Sequence, residues 1–358
     1  MSDLAAPAQN AAPTRQHWTI ELAEGGMVPD ALIRLTMRRL LRDRLRSECV
    51  DDLEVSQRRL MDFIKLMRQS PIAVETAAAN RQHYEVPAAF HRLCMGQRMK
   101  YSSCLFTTGN ETLDQAEEAM LALTCERAGL LDGQDVLEIG CGWGSLTLWM
   151  AEHYPRSRIR GVSNSHSQRA HILGQAAQRG LSNISIETAD ISTYQPPTQY
   201  DRVVSVECFE HLRNHPELFK RIRQWLKEDG QLFCHVFTHR SVAYTFDDQG
   251  EDDWMARHFF TGGIMPSDSL FTYYQDDLAL NQHWRVNGTH YARTARWWLN
   301  NLDRQRSAAL ALFAKDMSAE EAKRMVQRWR MFFMACEELW AFNGGNEWLV
   351  SHYQFHRR

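Results

Sequence analysis

One stretch limits the folds open to this chain more than any other: Asp135-Val-Leu-Glu-Ile-Gly-Cys-Gly-Trp-Gly-Ser145. Val136, Leu137 and Ile139 form a short apolar run with β-branched residues, which reads as a buried strand. Gly140, Gly142 and Gly144 follow at every second position, and Leu146, Leu148, Trp149 and Met150 then open an amphipathic helical pattern. A strand that runs through a glycine-rich turn into a helix brings backbone amides close to a ligand. It is also how a parallel α/β sheet builds its cofactor crevice.

The glycine spacing separates cofactor classes. A dinucleotide site uses G-x-G-x-x-G, whereas this run is G-x-G-x-G, and the lysine of a P-loop is absent. The E-x-G-x-G-x-G form resembles motif I of the class I S-adenosylmethionine (SAM) methyltransferases. A plain glycine-rich turn would satisfy the same local pattern, so the rest of the chain has to decide.

Beyond the glycine motif the chain alternates. Strands are expected at 135–139, 158–163, 184–189, 202–206 and 231–237, with helices at 145–153, 165–178 and 216–226 between them. Alternation of this kind gives a parallel sheet with helices on both faces. Upstream, 1–16 reads as a disordered tail, 17–80 as an N-terminal helical segment and 112–128 as a helix leading into the first strand. After His239 the alternation stops. Residues 240–280 are aromatic, acidic and irregular; a strand is expected at 282–286, helices at 292–313 and 318–342, and a last strand at 347–355. The fold class is therefore α/β, a Rossmann-like class I methyltransferase sheet. The methyltransferase domain spans 81–358, with a helical and aromatic lid insertion at about 240–345.

Composition excludes some partners. A net charge of -3 leaves no electrostatic footprint for nucleic acid or anionic membrane. No apolar run is long enough to span a bilayer, and the first residues lack a signal-peptide layout. The eight cysteines contain no C-x-x-C pair, so they read as scattered thiols of a cytoplasmic protein rather than disulfides or a zinc site. The arginines between Arg34 and Arg46 read as a solvated helix face balanced by Asp43, Glu48, Asp51 and Asp52. A small-molecule substrate is expected, and a homodimer is the candidate assembly.

Ligands in such a sheet bind beyond the carboxyl ends of the strands. Gly140 to Gly144 lie there after the first strand, Ser163, Asn164 and Gln168 after the second, Asp190 and Ile191 after the third, and Glu207 to His211 after the fourth. The second strand ends in neutral hydrogen-bonding groups instead of a ribose-binding acid. Asp190 is placed to accept from an adenine amino group. Glu207, Glu210 and His211 put two carboxylates and an imidazole within five residues. Such a cluster can bind an amine cation, orient it and take its proton; an acidic helix start with a surface histidine has the same composition. His235 and His239 lie on or after the fifth strand, and neither reads as catalytic alone. The aromatic set Trp254, Phe259, Phe260, Phe271, Tyr273, Tyr274, Trp329, Phe332, Phe333, Trp340 and Phe342 is partly core and partly the wall of a pocket for an aromatic or cationic substrate.

Several segments together carry a family resemblance. Leu137-Glu-Ile-Gly-Cys-Gly-Trp-Gly144, Met99-Lys-Tyr-Ser-Ser-Cys104, His83-Tyr-Glu-Val-Pro87, Phe209-Glu-His211, Glu251-Asp-Asp-Trp254 and His283-Trp-Arg-Val-Asn-Gly288 resemble the cyclopropane-fatty-acid synthase-like methyltransferases. Within them the chain is most similar to the coclaurine N-methyltransferase group, from about residue 28 to the end. The resemblance implies that Tyr101, Ser102, Gly140, Gly142, Asn164, Gln168, Asp190 and Ile191 hold SAM. It implies that Glu207, Glu210 and His211 face an amine, and that Tyr84, Phe259, Tyr291, Trp329 and Phe332 bind the substrate. The group methylates the ring nitrogen of benzylisoquinoline and related alkaloids, without a metal. The alternative is the lipid-modifying branch, which methylates unsaturated phospholipid acyl chains and uses bicarbonate as its base. Glu210, His235 and Tyr291 match residues that help form the bicarbonate pocket there, but Ser103 replaces that branch's cysteine.

Overall fold

A computed structural model describes residues 18–74, 86–246 and 254–358. The expected tail, the Tyr84 segment and Glu251 to Asp253 lie outside them.

Among the described residues three helices come first: α1 (Trp18–Glu24), α2 (Asp30–Glu48) and α3 (Leu53–Gln69). A short α4 (Ala88–Cys94) leads to α5 (Leu113–Arg127), whose start is fixed by a capping box between Thr112 and Gln115. The alternating core follows as β1 (Asp135–Ile139), α6 (Ser145–His153), β2 (Arg158–Ser163), α7 (His166–Gln178), β3 (Ile184–Thr188), β4 (Tyr200–Val206), α8 (His215–Trp225) and β5 (Leu226–His239). As expected, Ser165 caps α7, accepting from the Gln168 N–H.

The later region also holds a two-stranded ribbon of β6 (Tyr244–Thr245) and β7 (Ile264–Met265) that carries no sequence signal. It is followed by β8 (Leu278–Val286), α9 (Gly288–Arg304), α10 (Arg306–Phe313), α11 (Ala319–Ala341) and β9 (Trp348–Arg357). The single helix expected at 292–313 is two, broken at Gln305.

The main sheet has seven strands in the order β3-β2-β1-β4-β5-β9-β8. The first five are parallel, and β9 and β8 extend it antiparallel. The order reverses between β1 and β4, so the crevice opens at the carboxyl ends of those two strands. One apolar cluster lies under α3 and α8. Another joins α4, α9 and α11 beside the mouth of the crevice.

The arginine-rich face of α2 is not simply solvated. Arg34 pairs with Glu337 and Glu338 at 2.8 Å, and Arg38 pairs with Glu338 at 2.5 Å. These half-buried pairs dock α2 onto α11, a role that local charge balance could not reveal because the partners lie about three hundred residues away. Arg39 and Arg46, both paired with Asp43, fit the expected exposed pattern.

Candidate active site

The glycine turn after β1 takes a shape that side chains oppose. Gly140 sits at φ 76°, and a Cβ there would lie 2.6 Å from Cys208 Sγ. Gly142 sits at φ 50°, and its Cβ would point into open space. The turn therefore needs glycine at 140 to pack against the β4 loop, and at 142 for its backbone conformation. Behind it, Glu138 is buried and accepts from Thr147 Oγ1. Burial pushes its carboxyl up to about 7.

Two adjoining cavities meet at this turn. One is lined by Gly140, Gly142, Ser163, Asn164, Gln168, Asp190 and Ile191, with Cys208 and His211 across from them. The other is lined by Lys100, Tyr101, Ser102, Gly140, Gly142, Gln168, Glu207 and His211, with Phe237, Phe260, Tyr291, Trp298 and Phe332 as its ring wall. All eight expected cofactor residues thus border one cavity or both. Neutral Ser163 and Gln168 side chains, bonded to each other at 2.6 Å, stand at the end of β2. The glycine cradle, these neutral groups and a carboxylate facing the same space fit a nucleoside carrying a sulfonium.

Glu207 lines the second cavity. It follows β4 in the left-handed region at φ 46°, a strained position for a non-glycine residue. Its Oε1 accepts from the Ser103 N–H at 2.9 Å and lies 3.1 Å from His235 Nε2. Its Oε2 accepts from the Tyr291 hydroxyl at 2.7 Å. Burial raises its pKa, opposed by the buried Lys100 ammonium and these donors. A carboxylate offers about four acceptor positions, so one remains open on Oε2.

The two carboxylates of the Glu207–His211 cluster do not share a cavity. Phe209–His211 is a single 3-10 turn. Glu210 is fully buried and borders neither cavity; its Oε1 accepts from the Phe237 N–H at 2.7 Å. Burial, then the charge of Glu207, pushes its pKa well above the carboxylate range. His211 borders both cavities, its ring 4.6 Å from that of Phe260.

Of the substrate residues, Tyr291 and Phe332 face the cavity. Phe259 and Trp329 form the layer behind, with Phe259 stacked on Phe332 at 4.2 Å. Tyr84 lies outside the described residues. Phe271 and Tyr274 pack in the cluster under α8, away from the site. In the sequence His235 reads as non-catalytic on its own and matches the lipid branch's bicarbonate pocket, and neither Lys100 nor Phe237 stands out. Lys100 sits between the named Met99 and Tyr101, a signal that proximity alone offered.

A glycine-turned crevice at the β1–β4 reversal, lined by these residues, defines a class I SAM-dependent methyltransferase. The chain belongs to the mycolic acid cyclopropane synthetase family, which matches residues 73–348. It is 38% identical over 339 residues to the (S)-coclaurine N-methyltransferase of Thalictrum flavum subsp. glaucum, covering 94% of each chain. It is 35% identical over 301 residues to the (S)-tetrahydroprotoberberine N-methyltransferase of Eschscholzia californica, covering 83% of this chain and 86% of that one. A crystal structure of coclaurine N-methyltransferase bound to N-methylheliamine and SAH superposes with a TM-score of 0.92 at 36% identity, over 95% of this chain and 99% of that one. Among the described residues, no helix is long and apolar enough to cross a membrane.

Proposed function

We propose that this protein transfers a methyl group from SAM to the nitrogen of a cyclic, aromatic secondary or tertiary amine of the benzylisoquinoline type. One observation carries the reading: Glu207 holds a carboxylate, with one acceptor position free, in a ring-walled cavity that adjoins the glycine turn. SAM supplies an electrophilic methyl on a sulfonium, whose departing sulfide needs no metal.

The chain's own residues do the rest. The rings of Phe237, Phe260, Tyr291, Trp298 and Phe332 bury an aromatic amine and favour the positive charge that develops on its nitrogen. Glu207 accepts the N–H of a secondary amine and thereby points its lone pair. When the new N–C bond has formed, the ammonium N–H proton passes to Glu207, leaving a neutral tertiary amine. A tertiary acceptor has no proton to lose and leaves as the quaternary ion. His211, at the junction of the two cavities, supports proton exit towards solvent. Glu210 supports the turn by accepting from the Phe237 N–H.

The phospholipid alternative loses its base. Ser103 N–H, His235 and Tyr291, which match positions of that branch's bicarbonate pocket, converge here on the Glu207 carboxylate. A bicarbonate beside it would meet a like charge with its donors already engaged.

The test is Glu207→Gln, assayed with a tetrahydroisoquinoline. The expected loss in kcat is about 100-fold or more, with SAM affinity by calorimetry unchanged. Normal turnover in this variant would remove the base assignment.

A further inference from the structure

Behind Glu207 runs a buried column of side chains that the proposed chemistry does not use. His235 Nε2 lies 3.1 Å from Glu207 Oε1. His235 Nδ1 lies 2.9 Å from His352 Nε2, and His352 Nδ1 lies 2.8 Å from Arg127 Nη1. The two histidines are register partners on β5 and β9, and both are fully buried. Arg127 ends α5, half-buried, with its guanidinium 5.0 Å over the Trp284 ring.

The two ends of this column fix every proton in it. A guanidinium only donates, so His352 Nδ1 must be a lone pair. Neutral His352 then carries its hydrogen on Nε2 and donates to His235 Nδ1. His235 in turn carries its hydrogen on Nε2 and donates to the carboxylate, which only accepts. Burial first, and then neighbouring cations, hold both imidazoles well below the ordinary histidine pKa. Protonating either ring would turn an N–H towards another donor at some point between Glu207 and Arg127.

We propose that Arg127 and His352 are positioning residues that act through His235, locking it as the Nε2–H tautomer and holding Glu207 as a hydrogen-bond acceptor. The column has one direction. A proton taken up by Glu207 finds no lone pair on His235 Nε2, so it cannot leave through the sheet and must return through the cavity. The other groups acting on Glu207 are Lys100, the Ser103 N–H and Cys104 from the segment before α5, Tyr291 from α9, Cys336 from α11 and Glu210. His283 of β8 also acts on His352. None of them can set the tautomer of His235, whose second nitrogen faces only His352. This inference rests on Glu207 being the base of the amine reaction.

Nitrogen-15 imidazole spectra of the intact protein read the tautomers without any substrate. The expected spectrum shows Nε2–H forms for both His235 and His352, and Nδ1–H on either ring would overturn the proposal. In Arg127→Met, which removes the donor, His352 becomes a tautomer mixture. The acid limb of kcat/KM for amine methylation then moves up by about one pH unit, a roughly tenfold loss below the limb that disappears above it. The acceptor's own titration is common to both proteins and cancels in the comparison. Arg127→Lys restores the wild-type profile. A fixed limb with an equal loss at every pH would mean Arg127 serves packing alone, and the proposal fails. If the protein methylates no amine, the spectra still decide the tautomers, so the two readings fail separately.

Discussion

Tyr291 and Glu207 are joined from different parts of the chain by one short hydrogen bond, 2.7 Å from phenol to carboxylate. The same Tyr291 ring stacks on Trp340 at 4.7 Å and 7°. Its position is thus set by packing, and the bond is left to act on the charge of Glu207. Tyr291→Phe keeps the stack and removes the donor. A hydrogen bond to a charged group contributes about 1.5–3 kcal/mol, so kcat should fall by about one to two orders of magnitude. The acid limb should rise while the melting temperature moves little. A drop in melting temperature with an unshifted limb would contradict this.

Removing the Glu207 side chain should leave a vacant anion site. Its three donors, Ser103 N–H, His235 and Tyr291, would then face a gap the size of a carboxylate. Glu207→Gly also relieves the φ of 46°. Activity lost in this variant should return in part with millimolar formate or bicarbonate, titrated under initial-rate conditions. Wild-type activity should ignore both ions.

The glycine turn and the β4 loop are fitted to each other through Gly140 and Cys208. Gly140→Ala should destabilise the fold by about 1–3 kcal/mol, from its positive φ and the 2.6 Å approach to Cys208 Sγ. Cys208→Gly, which removes both Sγ and the Cβ that would lie 2.7 Å away, should recover the part due to collision, giving a non-additive double-mutant cycle in urea melts. Additive losses would mean the loop adjusts freely.

His215 should make the fold acid-sensitive. It is fully buried, bonds the Phe209 carbonyl at 3.0 Å, and burial depresses its pKa to about 4. The unfolded chain takes up a proton below about 6.5 while the folded one does not. The penalty therefore grows as pH falls from about 6.5 to about 4, then levels off. Relative to His215→Gln, the wild type should lose roughly 3 kcal/mol over that window. A constant difference between the two proteins from pH 7 to pH 4 would rule this out.

Much of this architecture is legible in sequence because its signals are local. The run 135–145 announces strand, turn and helix within eleven residues, and Ser165 marks its own helix start. The expected cofactor residues border the crevice for the same reason, since all but Tyr101 and Ser102 follow a strand end. What is not legible depends on distant partners. Arg127 and His352 carry no motif, and the column they form with His235 exists only because β9 returns beside β5. Glu210 reads like Glu207 in sequence, yet the 3-10 turn buries it against Phe237. Arg34 looks like a surface charge until α11 supplies Glu337 and Glu338.

The central claim is that the methyl group goes to an amine nitrogen with a built-in carboxylate as base. It is tested most directly with isotope-labelled SAM and two acceptor sets in parallel. One set is tetrahydroisoquinolines; the other is unsaturated phospholipid vesicles, with and without bicarbonate. Label in the amines alone, indifferent to bicarbonate, is the predicted result. Label in the lipids that rises with bicarbonate would contradict it and return the chain to the acyl-chain chemistry of its family.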